Sequence, residues 1–184
     1  MNTMGSTAFP AVPFSNTGPL APLATLCHCH RRVLAYCATL RRLVLYISEC
    51  GCTRDAQVVS HGVLRFFDIE VPRHYEDEEI DLFPALIESM AGSDAVCLHD
   101  LTRGSARQHR ALAVQWGILR GPLEDIASGR DVLLPAGAVE TFARQWYDHI
   151  GLEESELLPM ASRLLSDDEL ARIDRCMQER RSWA

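Results

Sequence analysis

The sequence predicts an all-α protein: an up-down-up-down four-helix bundle with a short extra helix at its C-terminal end. Three observations lead there. Past residue 22, apolar residues recur at steps of three and four, β-branched alternation is rare, and short joins bearing Gly, Ser or Pro separate long periodic runs. Long helices linked by short loops favour antiparallel neighbours. Hydrophobic residues make up 47% of the 184, enough for one buried core in a chain too short for two comfortable domains.

Residues 1–22 (MNTMGSTAFPAVPFSNTGPLAP) are rich in Pro, Gly, Ser and Thr and carry no basic stretch followed by an apolar run. They read as a flexible N-terminal tail rather than a signal peptide, leaving 23–184 as the bundle domain. The first helix is expected over 23–49, stopped by Gly51. The second is expected over 55–90, and Pro72 inside it should kink or divide it, because proline lacks the amide proton a helix interior uses. The Gly92-Ser93-Asp94 cluster separates it from a third helix over 95–128, and the Ser128-to-Pro135 stretch introduces a fourth over 135–163. A short helix over 167–181 opens with a capping box, Ser166 followed three residues later by Glu169.

Composition excludes several classes of function. The net charge of −7, with no basic stripe, argues against nucleic acid as a partner. No apolar run approaches the ~20 residues that span a bilayer, so no membrane role is expected. Seven scattered cysteines make no disulfide framework, which suits reduced thiols and a cytoplasmic setting. The Cys27/Cys29 and Cys50/Cys52 pairs depart from the spacing of zinc-binding cysteines and lack a second paired half.

The inward seams of the four long helices carry the chemistry. The first runs Leu26, His30, Val33, Cys37, Leu40, Val44, Ile47, and the second Val63, Phe67, Val71, His74, Glu78, Leu82. The third runs Leu98, Leu101, Ser105, His109, Leu112, Trp116, Leu119, and the fourth Val139, Phe142, Trp146, His149, Glu153, Leu157, Met160, Leu164. Each seam thus holds one histidine, and two add a glutamate one turn on. His28, His61 and His99 fall off the seams. A single histidine on an apolar stripe is ordinarily a satisfied core residue. An ionised glutamate in a core, however, is expensive unless it is paired or bound to a metal. Residues at i and i+4 lie about 40° apart around the axis, so a His and a Glu so spaced reach a common point. Six donors converging between four helices suit two metal ions, two histidines to each, with both carboxylates bridging.

A repeat supports this pairing. The run His74-Tyr-Glu-Asp-Glu78-Glu79-Ile-Asp-Leu82-Phe83-Pro84 matches His149-Ile-Gly-Leu-Glu153-Glu154-Ser-Glu-Leu157-Leu158-Pro159 without a gap. The single histidines His30 and His109 precede these motifs by 44 and 40 residues. The chain reads as two helical hairpins about a pseudo-twofold axis. Glu79 and Glu154 should point about 100° from their neighbours. With Tyr75, they read as residues that orient ligands rather than bind metal.

Taken together, Cys29-His30-Arg31-Arg32, the His74 run, Gln108-His109-Arg110 and the His149 run resemble the hemerythrin-like family, the HHE cation-binding domain, over residues 24–165. The resemblance implies a four-helix bundle around a non-haem centre of two iron ions, oxo- or hydroxo-bridged, with His30, His74, Glu78, His109, His149 and Glu153 as ligands. Oxygen-carrying members of that family have a fifth histidine one turn after the third-helix histidine. Here that position is Ala113. A four-histidine, two-carboxylate site therefore points away from reversible oxygen carriage and toward binding or sensing oxygen, nitric oxide or redox state. Imidazole and carboxylate donors also suit manganese or zinc. The alternatives are a di-iron enzyme of peroxidase-like or nitric-oxide- and iron-handling type, and an interaction module stabilised by its metal. No residue is marked as a dedicated catalytic acid or base, and the oligomeric state is left open. Ferritin-like di-iron proteins use Glu-x-x-His, the reverse order at a shorter step, so that class is disfavoured.

Overall fold

A computed structural model describes Gly18, residues 21–89 and residues 94–182, with the backbone alone given for 94–97. The expected tail and the Gly92-Ser93 join therefore lie almost wholly outside the described residues. Those residues form helices and turns, with no strand among them. α1 spans Ala21–Cys50 and stops at Gly51, which adopts a φ of +69° and donates its N–H to the Ile47 carbonyl at 2.9 Å. Such a left-handed residue ends a helix at little steric cost only when it is glycine. The next helical run covers 54–89 and begins at Thr53, whose hydroxyl caps the Ala56 N–H. It consists of α2 (Arg54–Arg65), α3 (Val71–Glu76) and α4 (Phe83–Ser89), joined by π-turns at Phe66–Glu70 and Asp77–Leu82.

α5 spans Asp94–Ala127 and ends in a Schellman turn, with Gly129 N–H bonded to the Ile126 carbonyl and Arg130 N–H to that of Asp125. α6 (Ala136–Leu152) continues through a third π-turn, Glu153–Leu157, into α7 (Leu158–Leu164). α8 (Asp167–Ser182) follows the expected capping box: the Ser166 hydroxyl caps the Glu169 N–H and the Glu169 carboxylate accepts from the Ser166 N–H. No described helix is long and apolar enough to cross a membrane.

Each of the three π-turns is followed, one residue on, by a proline. The N–H groups of Val71, Phe83 and Leu158 reach back five residues to the carbonyls of Phe66, Glu78 and Glu153, and Pro72, Pro84 and Pro159 follow. A proline offers no N–H and its ring crowds the carbonyl four residues back; a widened turn accommodates both. The division expected at Pro72 therefore takes the form of a π-turn ahead of it. The extra residue also shifts the phase of the inward stripe. Beyond Glu153–Leu157 the buried positions are Leu158, Ala161 and Leu165, whereas Met160 is only half-buried and Leu164, expected on the seam, is 36% exposed. Smaller slips place Leu43 inward in place of Val44, and Thr102 in place of Leu101. A strict four-three stripe drifts by ~20° per heptad on a straight helix.

α1 packs against α2 and α6, and α5 closes the ring by packing against the same two. The interior has two apolar clusters. One gathers Val33, Leu40, Phe66, Val71, Leu112, Phe142 and Trp146, and the other Leu23, Leu26, Leu82, Leu86, Leu98 and Leu157. Along every long helix the chain passes from one cluster to the other through a polar layer. That layer holds His30, His74, Glu78, Ser105, His109, His149 and Glu153, each no more than 2% exposed. α8 covers the second cluster with Leu170, Ile173 and Met177. Arg180 and Arg181 both bond the wholly buried Asp77, and Arg180 adds Asp81 at 2.8 Å and Glu76 at 3.1 Å.

Candidate metal centre

All six residues expected as ligands meet in the polar layer. His74 and His149 lie one turn ahead of π-turns, and the glutamates four residues on, Glu78 and Glu153, supply the carbonyls that close those turns. Corresponding parts of the two motifs thus share one local geometry. The imidazole Nε2 atoms face inward. His74 Nε2 stands 3.5 Å from Glu78 Oε1, with His30 Nε2 3.9 Å from the same oxygen and 3.2 Å from Glu153 Oε2. On the other side, Glu78 Oε2 is 3.2 Å from His109 Nε2, and Glu153 Oε1 is 3.4 Å from His149 Nε2 and 3.8 Å from His109 Nε2. Each carboxylate turns one oxygen toward His30 and His74 and the other toward His109 and His149. The result is two nests, His30-His74-Glu78-Glu153 and Glu78-His109-His149-Glu153, with the donor atoms of each within 4.8 Å of one another.

The second glutamate of each motif reaches across the bundle. Glu79 Oε1 accepts from His109 Nδ1 at 2.6 Å, and Glu154 Oε1 from His30 Nδ1 at 3.0 Å. Each hairpin therefore orients the lone histidine of the other. His149 Nδ1 is held by Gln108 Oε1 at 3.0 Å, and the Ser105 hydroxyl donates to Glu153 Oε1 at 2.6 Å. Tyr75 stacks on the His109 ring at a centroid distance of 4.1 Å. Gln108 and Ser105 were not singled out as site residues from sequence. A signal existed for Ser105, a hydroxyl on an otherwise apolar seam; for Gln108 the only signal was its place beside His109. His28, His61 and His99 are exposed, as their off-seam positions require.

Electrostatics sort the histidines into two kinds. Burial opposes charge on His30, but Glu153, Glu154 and Glu78 outweigh it and hold its pKa well above the ordinary value. The same contest at His109, with Glu153 and Glu78 as acceptors, pushes its pKa up to about 10. Burial lowers His149 to about 4, and burial with the neighbouring His30 lowers His74 well below its usual range. Burial also raises Glu78, with Glu153 adding to it, whereas at Glu153 the histidines His149, His109 and His30 overcome burial and depress the pKa. Without a cation the layer thus neutralises its carboxylates with protonated His30 and His109. A bound cation would take the place of those protons.

The donor set fits a pair of metal ions. Deep in the layer His30 Nε2, His74 Nε2, Glu78 Oε2 and Glu153 Oε2 crowd together, with contacts such as His30 Nε2 to Glu153 Oε2 at 3.2 Å, but none makes a well-directed hydrogen bond. Buried polar atoms are rarely left so unless another ligand satisfies them. Cys27, with His30 and Glu154, forms a third grouping of donor atoms. Its thiol is pushed up to about 11, chiefly by burial, and its side chain belongs to the second apolar cluster. Thiolate ligation is therefore disfavoured there. The described cysteines are all free thiols, Cys27, Cys29 and Cys37 being buried. A surface depression of about 290 Å³, lined by Tyr75, Glu76, Glu79, Ile80, His109, Arg110 and Ala113, opens onto the His109 side of the layer.

Comparison with known proteins agrees with this geometry. A family model described as the hemerythrin HHE cation-binding domain matches residues 21–161. A Haemophilus influenzae protein, described as an uncharacterized protein, is 30% identical over 160 residues, covering 87% of this chain and 90% of its own.

Proposed function

The chain belongs to the hemerythrin HHE cation-binding family, and from that premise we propose that it is a cytoplasmic non-haem di-iron protein that binds or senses a small diatomic molecule, oxygen or nitric oxide. In this reading the bundle is of the four-helix, up-down-up-down kind. The observation that carries it is the pair of four-donor nests sharing Glu78 and Glu153. His30 and His74 would hold one ion, His109 and His149 the other, with both carboxylates between them. Nitrogen and oxygen donors without thiolate in a helical bundle favour iron over the zinc of cysteine-rich sites. When bound, the iron pair would supply reversible electron transfer and open positions for a diatomic.

The chain's own residues orient and shield. Glu79, Glu154 and Gln108 fix the imidazole rings so that their Nε2 atoms face inward. Trp146, fully buried, and Phe83 pack beside the histidines and exclude bulk water. Ala113 contributes no donor, and the depression it lines leaves His109 approachable by a small molecule. A binding or sensing role needs no dedicated acid or base, and the two carboxylates lining that depression are already engaged, Glu79 by His109 and Glu76 by Arg180.

The test is metal analysis of aerobically purified protein, followed by anaerobic gas titration of the reduced form. About two irons per chain and a reversible spectral change with oxygen or nitric oxide, without turnover, are expected. Sustained consumption of peroxide or nitric oxide would move the protein to the enzyme reading. Metal below about a tenth of that stoichiometry, unchanged after anaerobic iron addition, would overturn the metal-centre reading.

A further inference from the structure

The two halves of the polar layer match in their donors but not in what holds those donors, and from this we propose that the two metal positions differ in affinity. The position of His109 and His149 fills first, and that of His30 and His74 is the exchangeable one. The inference rests on the two-metal reading above and concerns how the pair is loaded. A histidine that ligates through Nε2 must carry its remaining proton on Nδ1. Three of the four have an acceptor waiting there: Glu154 for His30, Glu79 for His109 and Gln108 for His149. His74 has none, because its Nδ1 is buried without a partner. Ligation through His74 Nε2 therefore leaves an unsatisfied N–H in the interior, which no other ligand of the set does.

The asymmetry comes from the sequence around the two lone histidines. Gln108, immediately before His109, supplies the acceptor for His149; the residue immediately before His30 is Cys29, a buried thiol pushed up to about 12 by its burial. Ser105, four residues before His109, holds Glu153; the residue four before His30 is Leu26, and nothing corresponding holds Glu78. Tyr75 stacks on His109, whereas Ile150 takes the matching place in the second motif. These three differences all favour the side of His109 and His149. Outer partners of this kind change metal affinity by about 10–100-fold.

The experiment is an anaerobic titration of the metal-free full-length chain with cobalt(II) as a spectroscopic probe, followed by timed removal with a chelator. Two ions per chain should bind in steps separated by about 10–100-fold, and the weaker should be lost first. His74→Ala should remove the weak step and His149→Ala the tight one. Gln108→Ala, at a half-buried position beside a surface depression, should weaken the tight step and narrow the gap. Two ions binding with equal affinity would overturn the inequality, and a gap unchanged in Gln108→Ala would overturn its origin in the outer partners; either result leaves the two-metal reading standing. No binding at all would overturn both.

Discussion

Glu79 and His109 lie on different helical hairpins, yet the Glu79 carboxylate accepts a hydrogen bond from His109 Nδ1 at 2.6 Å. Glu154 makes the reciprocal contact with His30 at 3.0 Å. Both glutamates are therefore positioning residues for histidines that are distant in sequence. Glu79→Ala and Glu154→Ala should each weaken metal binding by about 10–100-fold. Helical content should not change, since neither side chain belongs to the apolar clusters. An anaerobic metal titration followed by absorbance checks this, and unaltered affinity in both variants would show the contacts to be incidental.

Metal removal should destabilise the fold. The interior carries two carboxylates and four imidazoles with several atoms unpartnered, a costly arrangement that a bound cation relieves. Free metal at a hundred times its dissociation constant adds about 2.7 kcal/mol. For a chain of this size each kcal/mol raises Tm by about 2–4 °C. Thermal melts of chelated and reloaded protein should differ by several degrees; coincident melts would mean that the layer is stable without an ion.

The C-terminal helix should be essential to stability through charge as well as apolar contact. Asp77 is wholly buried and is bonded by both Arg180 and Arg181. Burial raises its pKa, and the two guanidinium groups act against that rise. Removing both with Arg180→Ala/Arg181→Ala strands a buried carboxylate and should cost about 3–5 kcal/mol in chemical denaturation. Asp77→Asn in the same background should recover part of the loss. A double variant as stable as the parent would show that α8 is held by Leu170, Ile173 and Met177 alone.

The start of α8 should also respond to pH. The Ser166 amide and hydroxyl hold the Glu169 carboxyl below its ordinary pKa. A depressed pKa in the folded state contributes stability that is present above the unfolded value, about 4.3, and is lost as pH falls through the folded one. Ser166→Ala should cost about 0.5–2 kcal/mol at neutral pH. The part of that cost carried by Glu169 should disappear in acid. Denaturation curves at pH 7 and pH 3 compare the two, and a difference independent of pH would assign the whole cap to the Ser166 hydroxyl.

Much of this was legible in sequence because a helix repeats its environment at regular steps. His30, Val33, Cys37 and Leu40 are all buried, so a histidine inside that rhythm marks a core position. The prolines ending the two motifs were visible too, but their meaning was not. Pro84 and Pro159 follow the residues whose N–H groups close π-turns, whereas Pro122 sits inside α5 in ordinary α geometry. Proline by itself therefore does not announce a π-turn, and the phase slip that moves Leu164 outward and Leu165 inward could not be read from spacing.

The sequence by itself determined the family, the all-helical class and the six donors that the folded chain collects, because each depends on local periodicity or on a repeated motif. Only the tertiary structure decided which oxygen of each carboxylate faces which histidine pair. It also decided that Glu79 serves His109 and Glu154 serves His30, and that His74 alone lacks an acceptor. Those facts depend on how the two hairpins are set against each other, with residues 30 and 124 positions apart brought within a hydrogen bond, and no spacing along one helix encodes that distance.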